Sequence, residues 1–189
     1  MISTRWTSKD LARFSDDDGA RYEIIDGELY MSKQPHMNHQ VVCSEIVWLL
    51  GTWNKQTKGG LVTTVPDIIF SDDNDVVPDV IWISKARRAA AMQPDGKLHG
   101  APELAIEVLS PGIANENRDY EVKRGLYSRQ GVNEYWIVSW PERRVEVFRR
   151  DQDPNMLELT ATLYAGDTLT SLELPGFTCQ VGDFFIDVE

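Results

Sequence analysis

The segment Leu104–Leu109 constrains the fold of this chain more than any other, because it is apolar throughout except for Glu107. A short apolar run that ends at a Ser-Pro-Gly sequence predicts a strand inside a sheet. A carboxylate within such a strand is costly unless it is paired or binds a cation. The strand could instead expose one face to water. However, Ala105 and Leu109 share the face of Glu107 by the two-residue period, which favours a functional role for this carboxylate.

Hydrophobic periodicity and turn signals predict the other elements. The Thr7 and Asp10 pair resembles a capping box and predicts a short helix near residues 8–14, which ends at the acidic run 16–18. Asp26-Gly27 predicts a two-residue hairpin turn. Apolar residues at helical spacing predict two main helices, over about 38–57 and 115–130. Further strands are predicted at 21–25, 28–32, 61–65, 67–71, 79–83, 134–139, 143–149 and 157–164, with a solvated turn at 72–75 and a short helix within 84–100.

This order of elements predicts an α/β (α+β) fold with a mixed central β-sheet flanked by helices. A hairpin is added at the N-terminus and strands are added at the C-terminus. The regular strand–helix alternation of a doubly wound fold is absent. At 189 residues, we expect one domain that spans residues 1–189.

Charge and composition restrict the classes of function. The net charge of −11 argues against a protein that coats nucleic acid, but it is compatible with a site that binds a cation. Cys43 and Cys179 make no metal-binding or disulfide pattern. The sequence MISTRWTSKD lacks the apolar region of a signal peptide, so we expect a cytoplasmic protein with no membrane partner.

Two further groups of residues are candidates for a site. Asp79 follows Pro78 at a predicted strand start, which puts it at the rim of the sheet, although an Asp in a polar turn is common. Asp119 and Lys123 share one face of the second main helix, and Tyr127 extends that face by a turn. A surface ion pair is the usual outcome of this spacing. Taken together, Asp79 and Glu107 supply oxygen ligands suited to Mg²⁺ or Mn²⁺, and Lys123 supplies a positive charge for a phosphate or an attacking water.

The chain also resembles a known family. In order, it contains motifs similar to those of the putative restriction endonuclease family (Uma type) within the PD-(D/E)XK nuclease superfamily. The matching stretches are Arg21–Leu29, Pro78-Asp79, Glu107–Pro111, Asp119-x3-Lys123-x3-Tyr127, Gly131–Val138 and Leu174–Phe177.

This resemblance implies a restriction-endonuclease-like core and Mg²⁺-dependent hydrolysis of DNA phosphodiester bonds. It implies Asp79 and Glu107 as catalytic metal ligands, with the Val108 carbonyl as a third. The chain departs from the superfamily pattern where Leu109 stands in place of the usual lysine, and Lys123 is the natural substitute. The alternative is a non-catalytic relative that acts as a binding or dimerisation module.

Supporting roles are less well defined by the sequence. A further acid often helps from an N-terminal element, and we rank Glu28 and Glu45 together, with Glu23 behind them. His39 is a weaker candidate for the cleft. We expect a homodimer, because small nucleases often pair so that two sites address two strands. Arg118, Lys123 and Arg124 form a basic cluster too small for a DNA-binding stripe.

Overall fold

A six-stranded sheet lies at the centre of the computed structural model, which describes residues 5–14, 19–110, 112–151 and 153–188. The helices are α1 (Ser8–Leu11), α2 (Met37–Thr57), α3 (Lys85–Ala91), α4 (Ile113–Asn117) and α5 (Arg124–Gln130), with a π-helical segment (Arg118–Lys123) between the last two and a 3₁₀ turn at Val181–Phe185. The strands are β1 (Arg21–Ile25), β2 (Glu28–Ser32), β3 (Gly60–Thr64), β4 (Ile68–Ser71), β5 (Asn74–Val76), β6 (Val80–Ser84), β7 (Leu104–Val108), β8 (Glu134–Ser139), β9 (Arg144–Arg149), β10 (Glu158–Tyr164), β11 (Thr168–Thr170) and β12 (Thr178–Gln180).

The central sheet has the strand order β10-β9-β8-β7-β6-β3. Strands β7 and β8 are parallel, and the other neighbours are antiparallel. A second sheet has the order β2-β1-β5-β4, and β11 pairs with β12. The predicted mixed α/β fold, with an N-terminal hairpin and C-terminal strands, is therefore confirmed, and β7 lies inside the sheet because it has a partner on each side.

Each face of the central sheet is covered by its own apolar cluster. On one face, α2 packs through residues such as Val42 and Ile46, together with the C-terminal residues Phe177 and Phe184. On the other face, α5 packs through Leu126 and Tyr127, with residues of the second sheet. The strands between them are almost continuously buried, which explains the apolar sequence of β7.

The N-terminal hairpin holds the second sheet in place. Asp26 and Gly27 have φ angles of 52° and 79°, as a type I′ turn requires. Strand β1 then pairs on its other side with β5, where Ile24 lies opposite Asp75.

Three sequence predictions need correction. Residues 72–75 are not a solvated turn throughout, because Asn74 and Asp75 lie in β5 and are buried. The second main helix is not uniform, because the π-helical segment interrupts it. The first helix ends at Leu11, and residues 16–18 lie outside the described part of the chain. Among the described helices, none combines the length and apolar character needed to cross a membrane.

Candidate active site

The register between β6 and β7 sets the position of the two key acids. Val80 pairs with Ile106, so the next antiparallel step brings Asp79 opposite Glu107. The backbone N–H of Val108 donates to Asp79 Oδ2 at 2.9 Å, which ties the start of β6 to the end of β7. Two residues 28 positions apart in the sequence therefore meet at one end of the sheet.

Lys123 is held between two carboxylates. Its Nζ lies 2.9 Å from Glu107 Oε1 and 2.9 Å from Glu23 Oε1, and only 1% of the side chain is exposed. The Tyr127 hydroxyl donates to Glu107 Oε1 at 3.0 Å. The lysine therefore reaches back from the helical segment to the end of the strand that carries Glu107.

The π-helical segment explains why a second cation approaches Glu23. Residues five apart share a face where the hydrogen bonds run from i to i+5. In an α-helix with 3.6 residues per turn they would be about 140° apart. Arg118 and Lys123 are five apart, and Arg118 Nη1 lies 3.9 Å from Glu23 Oε2.

Asp79 is held by a cation and a histidine in addition to the backbone of β7. Arg21 Nη1 donates to Asp79 Oδ1 at 3.0 Å, and His39 Nε2 lies 3.1 Å from Asp79 Oδ2. Burial alone would raise the pKa of Asp79, but the interaction with His39, and then the charges of Arg21 and Lys123, hold that pKa below its usual range. Asp79 is therefore ionised.

The surroundings of Glu107 shift its pKa in the opposite direction to that of Asp79. Burial raises the pKa of Glu107, and the neighbouring acids Asp79 and Asp119 add to the rise, although Lys123 opposes it. Burial by itself would lower the pKa of Lys123, but the charges of Glu107 and Glu23 raise it above its usual range. The ammonium therefore stays protonated, while the negative charge of Glu107 is disfavoured in this environment and an added positive charge would stabilise it.

These groups line a cavity of about 780 Å³. Its wall includes both acids and bases, namely Glu23, Asp79, Glu107, Arg21, His39, Arg118 and Lys123. Buried carboxylates that face a shared space with cations around them are suited to binding a metal ion beside an anionic group.

Comparison with known proteins places the chain in a family. The family model named Uma2 and described as a putative restriction endonuclease matches residues 8–182. The chain belongs to the Uma2 family.

A solved structure shares the fold of this chain. The crystal structure of a putative nuclease belonging to DUF820 from Anabaena variabilis ATCC 29413 has a TM-score of 0.74 to this Uma2 chain at 18% identity, and covers 95% of this chain and 97% of that one. A type IIG restriction endonuclease, BpuSI, has a TM-score of 0.44 at 12% identity over 77% of this chain and 14% of its own. No curated protein matches the sequence.

The structure brings together most of the residues that the sequence singled out in this Uma2 chain. Asp79, Glu107, Lys123 and Tyr127 are linked as described above. Asp119 is buried and accepts a hydrogen bond from Arg118 Nε at 3.2 Å, so it contributes charge to the cluster without lining the cavity.

The three predicted supporting acids lie in different surroundings. Glu23 lies in the cluster, because its side chain shares a face of β1 with Arg21. Glu28 is exposed on β2 and accepts from Tyr30 at 3.2 Å. Glu45 is half-buried on α2 and lines neither of the two cavities that border Asp79.

Sequence reasoning missed the part played by Arg21. The sequence contained an indication of it, because Arg21 and Glu23 are two residues apart on a predicted strand and their side chains therefore point to the same face. Leu109, which stands in the usual lysine position, is 6% exposed and packs in the apolar cluster on the α5 face of the sheet. A lysine at this position would therefore place its charge in the apolar core.

Proposed function

We propose that this chain is an endonuclease that hydrolyses DNA phosphodiester bonds with Mg²⁺ or Mn²⁺ bound at Asp79 and Glu107. The observation that carries the proposal is the position of Lys123. Its ammonium group is buried against Glu107, at the end of the sheet where Asp79 lies. A surface ion pair, the ordinary explanation for its spacing from Asp119, would leave this lysine exposed.

The donor set fits a hard divalent cation. Asp79 and Glu107 offer carboxylate oxygens, which Mg²⁺ and Mn²⁺ prefer. Glu107 Oε1 accepts hydrogen bonds from the Lys123 ammonium and the Tyr127 hydroxyl, which hold this carboxylate in place. Asp79, Glu107 and the Val108 carbonyl would hold the ion. When bound, it would lower the pKa of a water molecule and polarise the phosphate.

Lys123 then has a definite role. Because it is protonated, it cannot remove a proton from water, and instead it donates hydrogen bonds. A donor at this position can orient the attacking water and offset the negative charge that develops on the phosphate. Tyr127 fixes Glu107, and Glu23 fixes the lysine from the other side.

The walls of the cavity compensate for the overall negative charge. Arg21, Lys33 and Arg118 line it, so an anionic phosphate would meet cations locally although the chain carries a net charge of −11. This local charge supports a phosphodiester substrate without the extended basic stripe of a protein that coats DNA.

Cleavage of plasmid and single-stranded DNA tests the proposal. We expect cleavage with Mg²⁺ or Mn²⁺, none with EDTA, and a loss of at least about 100-fold in Asp79→Asn and Lys123→Gln. Asp67→Asn and Lys85→Gln change exposed residues of the same types and should retain activity. Equal activity in Asp79→Asn would mean a different site or a contaminant. No cleavage by a folded protein that binds Mn²⁺ would favour the non-catalytic relative.

We also propose that the protein acts as a homodimer, since two sites are needed to cut both strands of a duplex in one encounter. Light scattering at micromolar concentration should give twice the 21.5 kDa mass of the chain. A monomer together with efficient duplex cleavage would contradict this proposal.

A further inference from the structure

His39 and Cys43 form a buried pair that phosphodiester hydrolysis does not by itself explain. They lie one turn apart on α2, and both are at most 6% exposed. Cys43 Sγ lies 3.6 Å from His39 Nδ1, while His39 Nε2 lies 3.1 Å from Asp79 Oδ2. The imidazole therefore connects a thiol to the carboxylate of Asp79.

The direction of these hydrogen bonds follows first from the geometry, because the Asp79 carboxylate can only accept and Nε2–H of His39 must therefore donate to it. Burial raises the pKa of Cys43 far above its usual value, with the charges of Asp79 and Glu107 adding to the rise. The thiol therefore keeps its proton and can donate to Nδ1. A neutral ring that accepts at Nδ1 carries its own proton on Nε2, and that proton points to Asp79.

We propose that His39 is a positioning residue that holds the Asp79 carboxylate for cation binding, and that Cys43 holds His39 in the Nε2–H tautomer. Asp79 is then fixed from three directions, by Val108 N–H and His39 at Oδ2 and by Arg21 at Oδ1. Donors of this kind around a ligating carboxylate set its orientation and strengthen metal binding. The effect on cation affinity rests on the proposed function, whereas the tautomer does not.

The competing explanation is that His39, Cys43 and Asp79 together bind a thiophilic cation. One donor atom each from His39, Cys43 and Asp79 lies within 4.8 Å of the others, a set that Zn²⁺ accepts. The positions of the ring nitrogens argue against it. Nδ1 faces the sulfur and Nε2 faces the carboxylate, so the ring stands between the two other ligands.

The tautomer is tested first, because its measurement needs no metal. Long-range ¹H–¹⁵N correlation spectra of the metal-free protein at pH 8 should show His39 as the neutral Nε2–H form. Cys43→Ala should shift the tautomer populations, and Cys43→Ser, which keeps a donor, should preserve them. An Nδ1–H tautomer or a doubly protonated ring in the wild type would overturn the proposal.

Mn²⁺ affinity, measured by calorimetry, tests the consequence for Asp79. A Gln amide nitrogen can occupy the place of Nε2, whereas that of Asn cannot reach it. We expect His39→Asn to lose about 10–100-fold in Mn²⁺ affinity and His39→Gln to stay within a few-fold of the wild type, with thermal melts showing that both fold. Wild-type affinity in a folded His39→Asn would overturn the positioning role.

Co²⁺ distinguishes the competing site. Binding at the oxygen ligands gives no thiolate charge-transfer absorption. A band that appears with Co²⁺ and disappears in Cys43→Ser would establish Cys43 as a ligand and overturn the proposed roles of Cys43 and His39. If the wild type binds no Mn²⁺ yet has the predicted tautomer, the hydrogen bonds from Cys43 through His39 to Asp79 stand, but the role in cation binding and the proposed nuclease function both fail.

Discussion

Lys123 shows how strongly one buried residue can depend on its partners. Its ammonium group separates the carboxylates of Glu23 and Glu107, and all three side chains are at most 3% exposed. A buried ion pair contributes little compared with apolar residues of the same shape, but removal of one partner leaves an uncompensated charge. The arrangement therefore suits a functional site better than a purely structural one.

Replacement of Lys123 by Met should lower the free energy of unfolding by about 3–5 kcal/mol at pH 8. The loss of the ammonium raises the pKa of Glu107 further, and a group whose folded pKa is raised stabilises the fold at low pH and loses that contribution as the pH rises. In urea denaturation both proteins should thus gain stability from pH 8 to pH 6, because the pKa of Glu107 is already raised in the wild type, and Lys123→Met should gain more. Addition of Glu107→Gln should restore stability at pH 8, and a variant as stable as the wild type would contradict the buried pair.

Asp75, a buried acid outside the candidate site, also predicts that stability depends on pH. Burial raises its pKa to about 6 from the ordinary 3.8, and its Oδ2 accepts no hydrogen bond from the described residues, with Lys97 Nζ 3.9 Å away. Wild-type stability should therefore fall as the pH rises through about 6.

The substitution Asp75→Asn should remove this loss of stability at high pH, because the amide carries no charge. The variant should be more stable than the wild type by about 1–3 kcal/mol at pH 8 and nearly equal to it at pH 4. Asp67→Asn, an exposed neighbour that also contacts Lys97, is the control and should change stability little at either pH. A less stable Asp75→Asn at pH 8 would contradict the unfavourable burial of this charge.

At the scale of single residues, the sequence identified those that break a local pattern. Glu107 stands out in an apolar strand, and Asp79 follows a proline that marks a strand start. Glu23 and Arg21 do not stand out, because charged residues on a hairpin strand are ordinary. Their place in the cluster depends on the pairing of β1 with β5, which no local pattern specifies.

The secondary-structure elements differ in how far the local sequence determines their position and type. The hairpin at Asp26-Gly27 and the helix α2 follow from turn chemistry and from apolar spacing, and both were predicted within one or two residues. The π-helical segment was not predicted, because one added residue per turn changes the apolar spacing too little to be recognised. It nevertheless decides which cations reach Glu23.

Replacement of two glycines by alanine should change stability in opposite directions and so tests how the elements pack. A Cβ on Gly60 in β3 would lie 2.2 Å from the Ile83 carbonyl oxygen, while one on Gly51 in α2 would meet nothing within 4 Å. Gly60→Ala should therefore lower the melting temperature by several degrees. Gly51→Ala should raise stability by about 0.5–1 kcal/mol through helix propensity. Calorimetric scans of the two variants check both signs, and equal effects would contradict the pairing of β3 with β6.

On the scale of the whole molecule, the central sheet joins the two apolar clusters. Its strands contribute alternate residues to each face, so that β7 supplies Ile106 to one cluster and Ala105 to the other. Periodicity predicted this mixed sheet and its covering helices. It could not give the strand order, which depends on contacts between distant segments, and the single domain over residues 1–189 stays a prediction.

Shared strands predict cooperative unfolding. Neither cluster can lose its packing while the other keeps an intact sheet, so heat should unfold the described fold in one transition. The calorimetric and van't Hoff enthalpies should then agree. Two separated transitions, followed by tryptophan fluorescence and far-UV circular dichroism, would contradict a single cooperative unit.

The position of a bound cation tests the central claim most directly. Crystals soaked in Mn²⁺ and measured at the manganese absorption edge should give an anomalous peak within about 2.2 Å of one oxygen of Asp79 and one of Glu107, because hard cations bind carboxylates at that distance. Asp79→Asn crystals treated in the same way should lose the peak. A peak at Cys43, or no peak in the wild type at saturating Mn²⁺, would contradict the account.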